Sequence, residues 1–343
     1  MQNVKETAAD LRGGQGSVRL SLLAVNGSRD HRVVPMPKID GILIQRKARR
    51  RACLKKARRN SVSLTMTIKS ILSVIAAGQS DDDIRAAIAL CQSVNAHLSL
   101  LIIALAPSPP MADFGISGSS LWVDALENDV ATLHQRGAQV RTLLAREDLS
   151  SDVEGEYVEM ARAAETIGQR ACYADLVLIG SDLQNHEDVR LRAIIGALFD
   201  SSVPLLLSQR TATTTLQPRT IVLAWDSSVE ASRAVHASLG LLRKAQKVHV
   251  TMVDPDAFYH INGAEPGADV GAYLARHGVT AIVERLPSAG SCVADVLKQH
   301  ATDVAADMIV MGAYGHSRWR ERIFGGVTQA MLTDAPVPVY LAH

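Results

Sequence analysis

The residues best suited to chemistry lie in the last third of the chain, where residues 308–328 read MIVMGAYGHSRWRERIFGGVT. A short apolar run ends at Gly312, and a polar loop follows with Gly315, His316, Arg318, Arg320 and Arg322. Nine residues separate Gly315 from Gly325 and Gly326, which with Val327 and Thr328 open an amphipathic segment. A strand, a glycine-punctuated loop and a helix start can together build an anion site. Glycine lets the backbone approach a ligand, and the helix start offers unpaired N–H groups at the positive end of its dipole. The Thr328 hydroxyl can donate to a phosphate or bond back to its own helix. His316 and the arginines can supply positive charge or simply form a solvated loop. A second group stands upstream: Asp226, in the segment AWDSS, follows another apolar run. Its carboxylate can accept hydrogen bonds from a base amine or a ribose hydroxyl. Alternatively, Asp226 or Ser228 caps the helix expected from about Val229. A carboxylate for a nucleoside and a glycine loop for phosphates are of use only together.

These groups must be positioned by the elements that precede them, and an internal repeat defines those elements. KSILSVIAAGQSDDDIRAAIALC (Lys69 to Cys91) matches RTIVLAWDSSVEASRAVHASL (Arg219 to Leu239). ADLVLIG from Ala174 matches ADMIVMG from Ala306, and DSSVPLLL from Asp200 matches DAPVPVYL from Asp334. The pattern predicts strands at 69–76, 98–105, 139–145, 176–180 and 204–208 in the first copy, with helices at 81–95, 119–136, 152–173 and 190–200. In the second copy it predicts strands at 220–225, 247–253, 279–285, 308–312 and 337–342, with helices at 229–245, 265–277, 291–306 and 326–334. Short buried strands alternating with helices imply an α/β fold: two tandem five-stranded parallel sheets, each covered on both faces. Ligands of such sheets bind beyond the carboxyl ends of the strands. The expected division is an N-terminal extension over 1–65, a first domain over 66–210 and a second over 219–343, with RTATTTLQP between them.

Composition narrows the function. Hydrophobic residues make up 47% and aromatics only 4%, which suits an aliphatic parallel sheet. The longest apolar run, Leu98 to Ala106, falls well short of the roughly 20 residues of a membrane span, so neither a membrane nor a secretory signal is indicated and a cytoplasmic setting is expected. The 4 cysteines lack CxxC spacing and the 11 histidines lack HxxxH or HExxH spacing, so local sequence signals no metal site. No GxSxG elbow or P-loop is present, and no catalytic residue is assigned. Ser291 reads as a helix cap, and Asp81, Asp82 and Asp83 as first-turn acids that complement a helix dipole.

Charge is unevenly placed. Residues 1–65 hold 15 Lys/Arg against 4 Asp/Glu, nine of the basic residues falling between Arg46 and Arg59. Such a run is either an arm for anionic surfaces or a disordered extension. No aromatics interleave it to stack on bases, which argues against nucleic acid.

The spacing Gly312–x2–Gly315–x9–Gly325, closed by Thr328, resembles the nucleotide loop of the universal stress protein family. The resemblance runs as a tandem pair from Met66 to the end. It implies Rossmann-like, adenine nucleotide alpha hydrolase-like domains that pair through their last strands. It further implies a non-catalytic stress-response module and an ATP or other adenine-nucleotide site, with Mg2+ only as the companion of ATP. Carried onto this chain, that site comprises Asp226, Val253 (backbone and apolar wall for the base), Met311, Gly312, Gly315, His316, Gly325, Gly326, Val327 and Thr328. Gly326 departs from the family pattern, in which Ser or Thr supplies a hydroxyl. In the first copy Gly78 takes the place of Asp226, the loop after Gly180 carries acids, and Leu191 to Ile194 replace Gly-Gly-Val-Thr, so that copy is expected to be vacant. The expected partner is the other copy, as an internal pseudo-dimer, with a homodimer of the whole chain as a further form. The alternative reading is a docking scaffold that binds no nucleotide.

Overall fold

The computed structural model describes residues 68–106, 117–255, 265, 267–313 and 326–343. The basic extension, Gly315, His316, Gly325 and the loop arginines lie outside the described residues.

In the first copy the elements are β1 (Ser70–Ala76), α1 (Asp82–Val94), β2 (His97–Ala106), α2 (Ser117–Leu144), β3 (Ser151–Glu159), α3 (Met160–Ala171), β4 (Leu176–Ile179), α4 (Glu187–Ile195) and β5 (Leu205–Leu207). A 3-10 turn, Asp182–Asn185, precedes α4, and a π-helical turn, Gly196–Ser201, continues it. The second copy comprises β6 (Thr220–Ala224), α5 (Val229–Leu242), β7 (Lys247–Val253), α6 (Ala268–Arg276), β8 (Ala281–Leu286), α7 (Val293–Asp303), β9 (Met308–Gly312), α8 (Gly326–Thr333) and β10 (Val339–Ala342).

All ten strands form one sheet in the order β3-β2-β1-β4-β5-β10-β9-β6-β7-β8. Each half repeats the order 3-2-1-4-5 with parallel neighbours, and the halves join where β5 runs antiparallel to β10. Side chains alternate between two cores. Ile71 and Ile75 of β1 belong to the core on the side of α1, α2, α5 and α6, whereas Leu72, Val74 and Ala76 belong to the core on the side of α3, α4, α7 and α8. The strands are therefore buried on both sides, as their continuous apolar runs require.

Two expected elements are corrected. Residues 139–144 of the expected strand 139–145 complete the long helix α2, and residues 152–159 of the expected helix 152–173 belong to β3. Leu133, Val140 and Leu144 lie buried in one core at helical spacing. β3 is an edge strand of half-exposed SDVEGEYVE. Its acids blunt an open edge, so it carries no apolar run to betray it.

The repeated Ala-Asp pair has a structural role. Asp175 Oδ2 accepts from the N–H groups of Lys69 and Ser70 at 2.7 and 3.0 Å. Asp307 Oδ2 does the same for Arg219 and Thr220 at 2.7 and 2.9 Å. Each aspartate ties the start of its fourth strand to the start of its first.

The junction between copies is sealed by side chains as well as by the strand ladder. A buried Arg190 of α4 donates to the carbonyl of Leu332 at the end of α8, and the Phe199 and His343 rings meet edge-to-face at 4.6 Å. Removing the first copy would uncover β10 and its unpaired backbone groups. Residues 212–343 expressed alone are therefore expected to self-associate through β10, read by sedimentation; a monomer at tens of micromolar would contradict this.

Candidate functional site

The first and fourth strands of the second copy, β6 and β9, are neighbours, and from them the chain proceeds in opposite directions across the sheet. A crevice at the carboxyl ends is expected at such a switch point. Asp226 follows β6, Val253 ends β7, Met311 and Gly312 end β9, and Gly326, Val327 and Thr328 form the first turn of α8. The sheet thus brings these seven residues to one edge.

Asp226 is exposed, and its Oδ1 accepts from the Ser228 N–H at 2.9 Å. The helix cap is Ser228, whose Oγ accepts from Ala231 N–H at 3.0 Å. Asp226 therefore orders the turn before the cap while its carboxylate faces solvent. Between them, Ser227 holds a left-handed φ of 64°, and Asp254, just past Val253, one of 45°. Such backbone is costly for non-glycine residues. Asp254 Oδ1 accepts from Ser288 N–H at 3.0 Å, and hydrogen bonds from Ser288 lower the pKa of its carboxyl. The loops after β7 and β8 are joined by that contact.

The remaining positions differ in what they expose. Met311 is buried in the core, so only its backbone can face the crevice. Val253 is half-buried against the same core, and Thr328 is buried. Gly326 is exposed, and a β-carbon added there would meet no atom of the described residues within 4 Å. Gly312 is its opposite. A β-carbon there would lie 2.5 Å from the Ala231 nitrogen and 2.5 Å from the Glu230 carbonyl carbon. Its lack of a side chain lets the first turn of α5 pack over the end of β9, so the fold itself requires this glycine.

The first copy keeps a cavity of about 420 Å³ at its own strand ends, lined by Gly78, Leu105 and His186 among others, yet its loop after β4 is satisfied from within. Gly180 again lies beneath the first turn of a helix, but there the buried Asp83 carboxylate fills the space. It accepts from Asp182 and Leu183 N–H at 3.1 Å each and from the Gln79 amide. Burial raises its pKa, and the two backbone donors oppose that rise. The amides after β4 are thus occupied by the chain's own anion. Leu191 to Ile194, matched with the Gly-Gly-Val-Thr segment, lie inside α4, where helical bonding consumes their N–H groups. Gly78 sits in a turn that is longer than its counterpart: β1 reaches its helix eleven residues after Ile71, β6 eight after Ile221. No isolated sequence signal singles out Asp83, which reads as one of three first-turn acids.

Residues 218–343 match the Universal stress protein family. The second copy is a universal stress protein domain. A universal stress protein from Archaeoglobus fulgidus DSM 4304 has a similar fold, with a TM-score of 0.51 and 13% identity, covering 79% of this chain and 95% of that one. A candidate universal stress protein from Pseudomonas aeruginosa UCBPP-PA14 gives 0.50 at 15% identity, covering 81% and 94%. These likenesses, which are of fold, extend across both copies. A comparison with curated proteins returned no match. No helix among the described residues is long and apolar enough to cross a membrane.

Two substitution experiments test these packing roles in the universal stress protein domain and its partner copy. Gly312→Ala should destabilise the protein by about 3 kcal/mol through overpacking against backbone, whereas Gly326→Ala should change its melt by less than about 1 kcal/mol. Asp83→Ala should cost about 2–3 kcal/mol by orphaning buried amides, and Asp83→Asn, which keeps an acceptor, should cost less. Chemical denaturation measures both comparisons. Equal effects at the two glycines, or an Asp83→Ala protein as stable as the parent, would refute the assigned roles.

Proposed function

We propose that the chain is a non-catalytic, cytoplasmic stress-response module that binds one adenine nucleotide, ATP foremost, in its second copy. The carrying observation is the contrast between the copies. In the first, a buried carboxylate takes the loop amides and a helix consumes those of the aligned segment. In the second, an exposed carboxylate at the end of β6 and the first turn of α8, with Gly326 exposed, flank the end of β9. Asp226 serves the nucleoside, with the Val253 backbone beside the base. The first turn of α8, Gly326, Val327 and Thr328, serves the phosphates through the positive end of the helix dipole. Gly312, Gly315, His316 and Gly325 complete the loop, with Met311 lending its backbone. Mg2+ enters only with ATP. On this reading residues 66–210 are a retained but vacant domain, 219–343 the binding domain and 1–65 an accessory extension, and the two domains act as an internal pseudo-dimer that can itself dimerise.

One observation favours a second reading, a docking scaffold without nucleotide: Gly326 lacks the hydroxyl that Ser or Thr would offer. Its exposure makes this directly testable. ATP, ADP or AMP at millimolar concentration should raise the melting temperature of the full chain. A hundredfold excess over Kd is worth about 2.7 kcal/mol. Asp226→Ala should reduce the shift and Gly326→Ser enlarge it. A melt unmoved by all three nucleotides, in the parent and in Gly326→Ser, would leave the scaffold reading standing.

A further inference from the structure

Away from that crevice, three side chains from separate elements converge beside the open edge of the sheet. His249 lies within β7, Glu284 on the edge strand β8, and His300 in the second half of α7. His249 lies four residues before Val253, or about 13 Å along the strand from the nucleotide edge. We propose that His249, Glu284 and His300 bind a divalent transition-metal ion of the zinc class.

Geometry carries the proposal. His249 Nδ1 lies 3.0 Å from Glu284 Oε2, and His300 Nε2 lies 2.8 Å from the same oxygen. The three ligand atoms all fall within 4.8 Å of one another. A tetrahedral ion with bonds of about 2.0–2.1 Å holds its ligand atoms roughly 3.3 Å apart, so small side-chain adjustments suffice to admit it. The imidazole rings meet edge-to-face, with centroids 5.7 Å apart at 73°. Both histidines are deeply buried, 8% and 9% exposed. Glu284 keeps 27% of its side chain accessible at the sheet edge, a route by which an ion can enter.

The state of His300 is the second observation. Its Nε2 is shielded from water and has no hydrogen-bond partner among the described residues. The nearby Glu284 oxygen is close but out of line for N–H donation. An imidazole nitrogen held dry and unbonded is expensive, and a metal bond to its lone pair would satisfy it. Two imidazoles and one carboxylate select transition ions rather than calcium or magnesium, which prefer oxygen ligands alone. With three protein donors, a water completes the shell.

The fold does not demand this cluster. By strand register His249 corresponds to Ser99 and Glu284 to Glu154, and by the matched ends of α3 and α7 His300 corresponds to Gly168. In the first copy the carboxylate position is kept, but Glu154 pairs with Arg170. Both histidines are particular to the second copy.

The test uses the full chain after EDTA treatment and dialysis, with no nucleotide present. Zn2+ titrated by calorimetry should bind with one equivalent that Glu284→Gln lacks, as does the double variant His249→Ser, His300→Gly, which restores the first-copy residues. Co2+ should give visible absorption bands of a low-coordinate site, lost in the same variants. Zn2+ should raise the melting temperature of the parent but not of Glu284→Gln, a near-isosteric change expected to leave the fold intact. A Cys172→Ser, Cys292→Ser protein should retain the equivalent. Failure of the parent to bind Zn2+ or Co2+ at micromolar concentration would overturn the proposal. So would a stoichiometry unchanged in Glu284→Gln, which would leave the cluster a histidine–carboxylate hydrogen-bonded group.

Discussion

The antiparallel pairing of β5 with β10 is the contact on which the rest of the molecule depends. Both strands are short, three and four residues, and wholly apolar. Alone, each would end a five-stranded sheet with an unpaired row of backbone groups and a bare aliphatic edge, the arrangement most prone to uncontrolled association. Pairing them makes one ten-stranded sheet whose two open edges are β3 and β8, the strands with the most exposed residues. The cores on the two faces then run continuously from one copy into the other. Two modest domains thereby share a burial that neither achieves alone.

The first copy satisfies the loop after β4 from within. Asp83 illustrates the outcome. A carboxylate buried under a helix turn is unfavourable in itself, as its raised pKa shows, yet two backbone amides and a glutamine amide hold it there. The same place in the second copy is taken by the backbone of α5 packed on Gly312. Glycine at the end of the fourth strand is thus shared by both copies for one steric reason.

Much of this was legible in the chain. Aliphatic runs alternating with Ala-rich helical periods predicted the three-layer fold and the internal repeat predicted two copies, because apolar burial is a local, periodic demand; that the copies meet at VPLLL and VPVYL was implied by the family resemblance. The clustering of Asp226, Val253 and Gly312 at strand ends followed from chain order alone. The edge strand β3 was not legible, because a strand bonded on one side and exposed on the other needs no apolar run. Its acids instead read as helical surface.

What tertiary structure decided were the relations between residues distant in sequence. It showed that Gly312 is fixed by helix packing while Gly326 is exposed and uncrowded by the described residues, though as residue types the two are indistinguishable. It showed Asp83 folded over amides about a hundred residues away in the chain. It brought His249, Glu284 and His300 together from two strands and a helix, at intervals of 35 and 16 residues that match no local spacing. Sequence determines such elements through periodicity and propensity, which act over a few residues. Contacts across a sheet or beneath a helix exist only once strand order and register set which side chains meet.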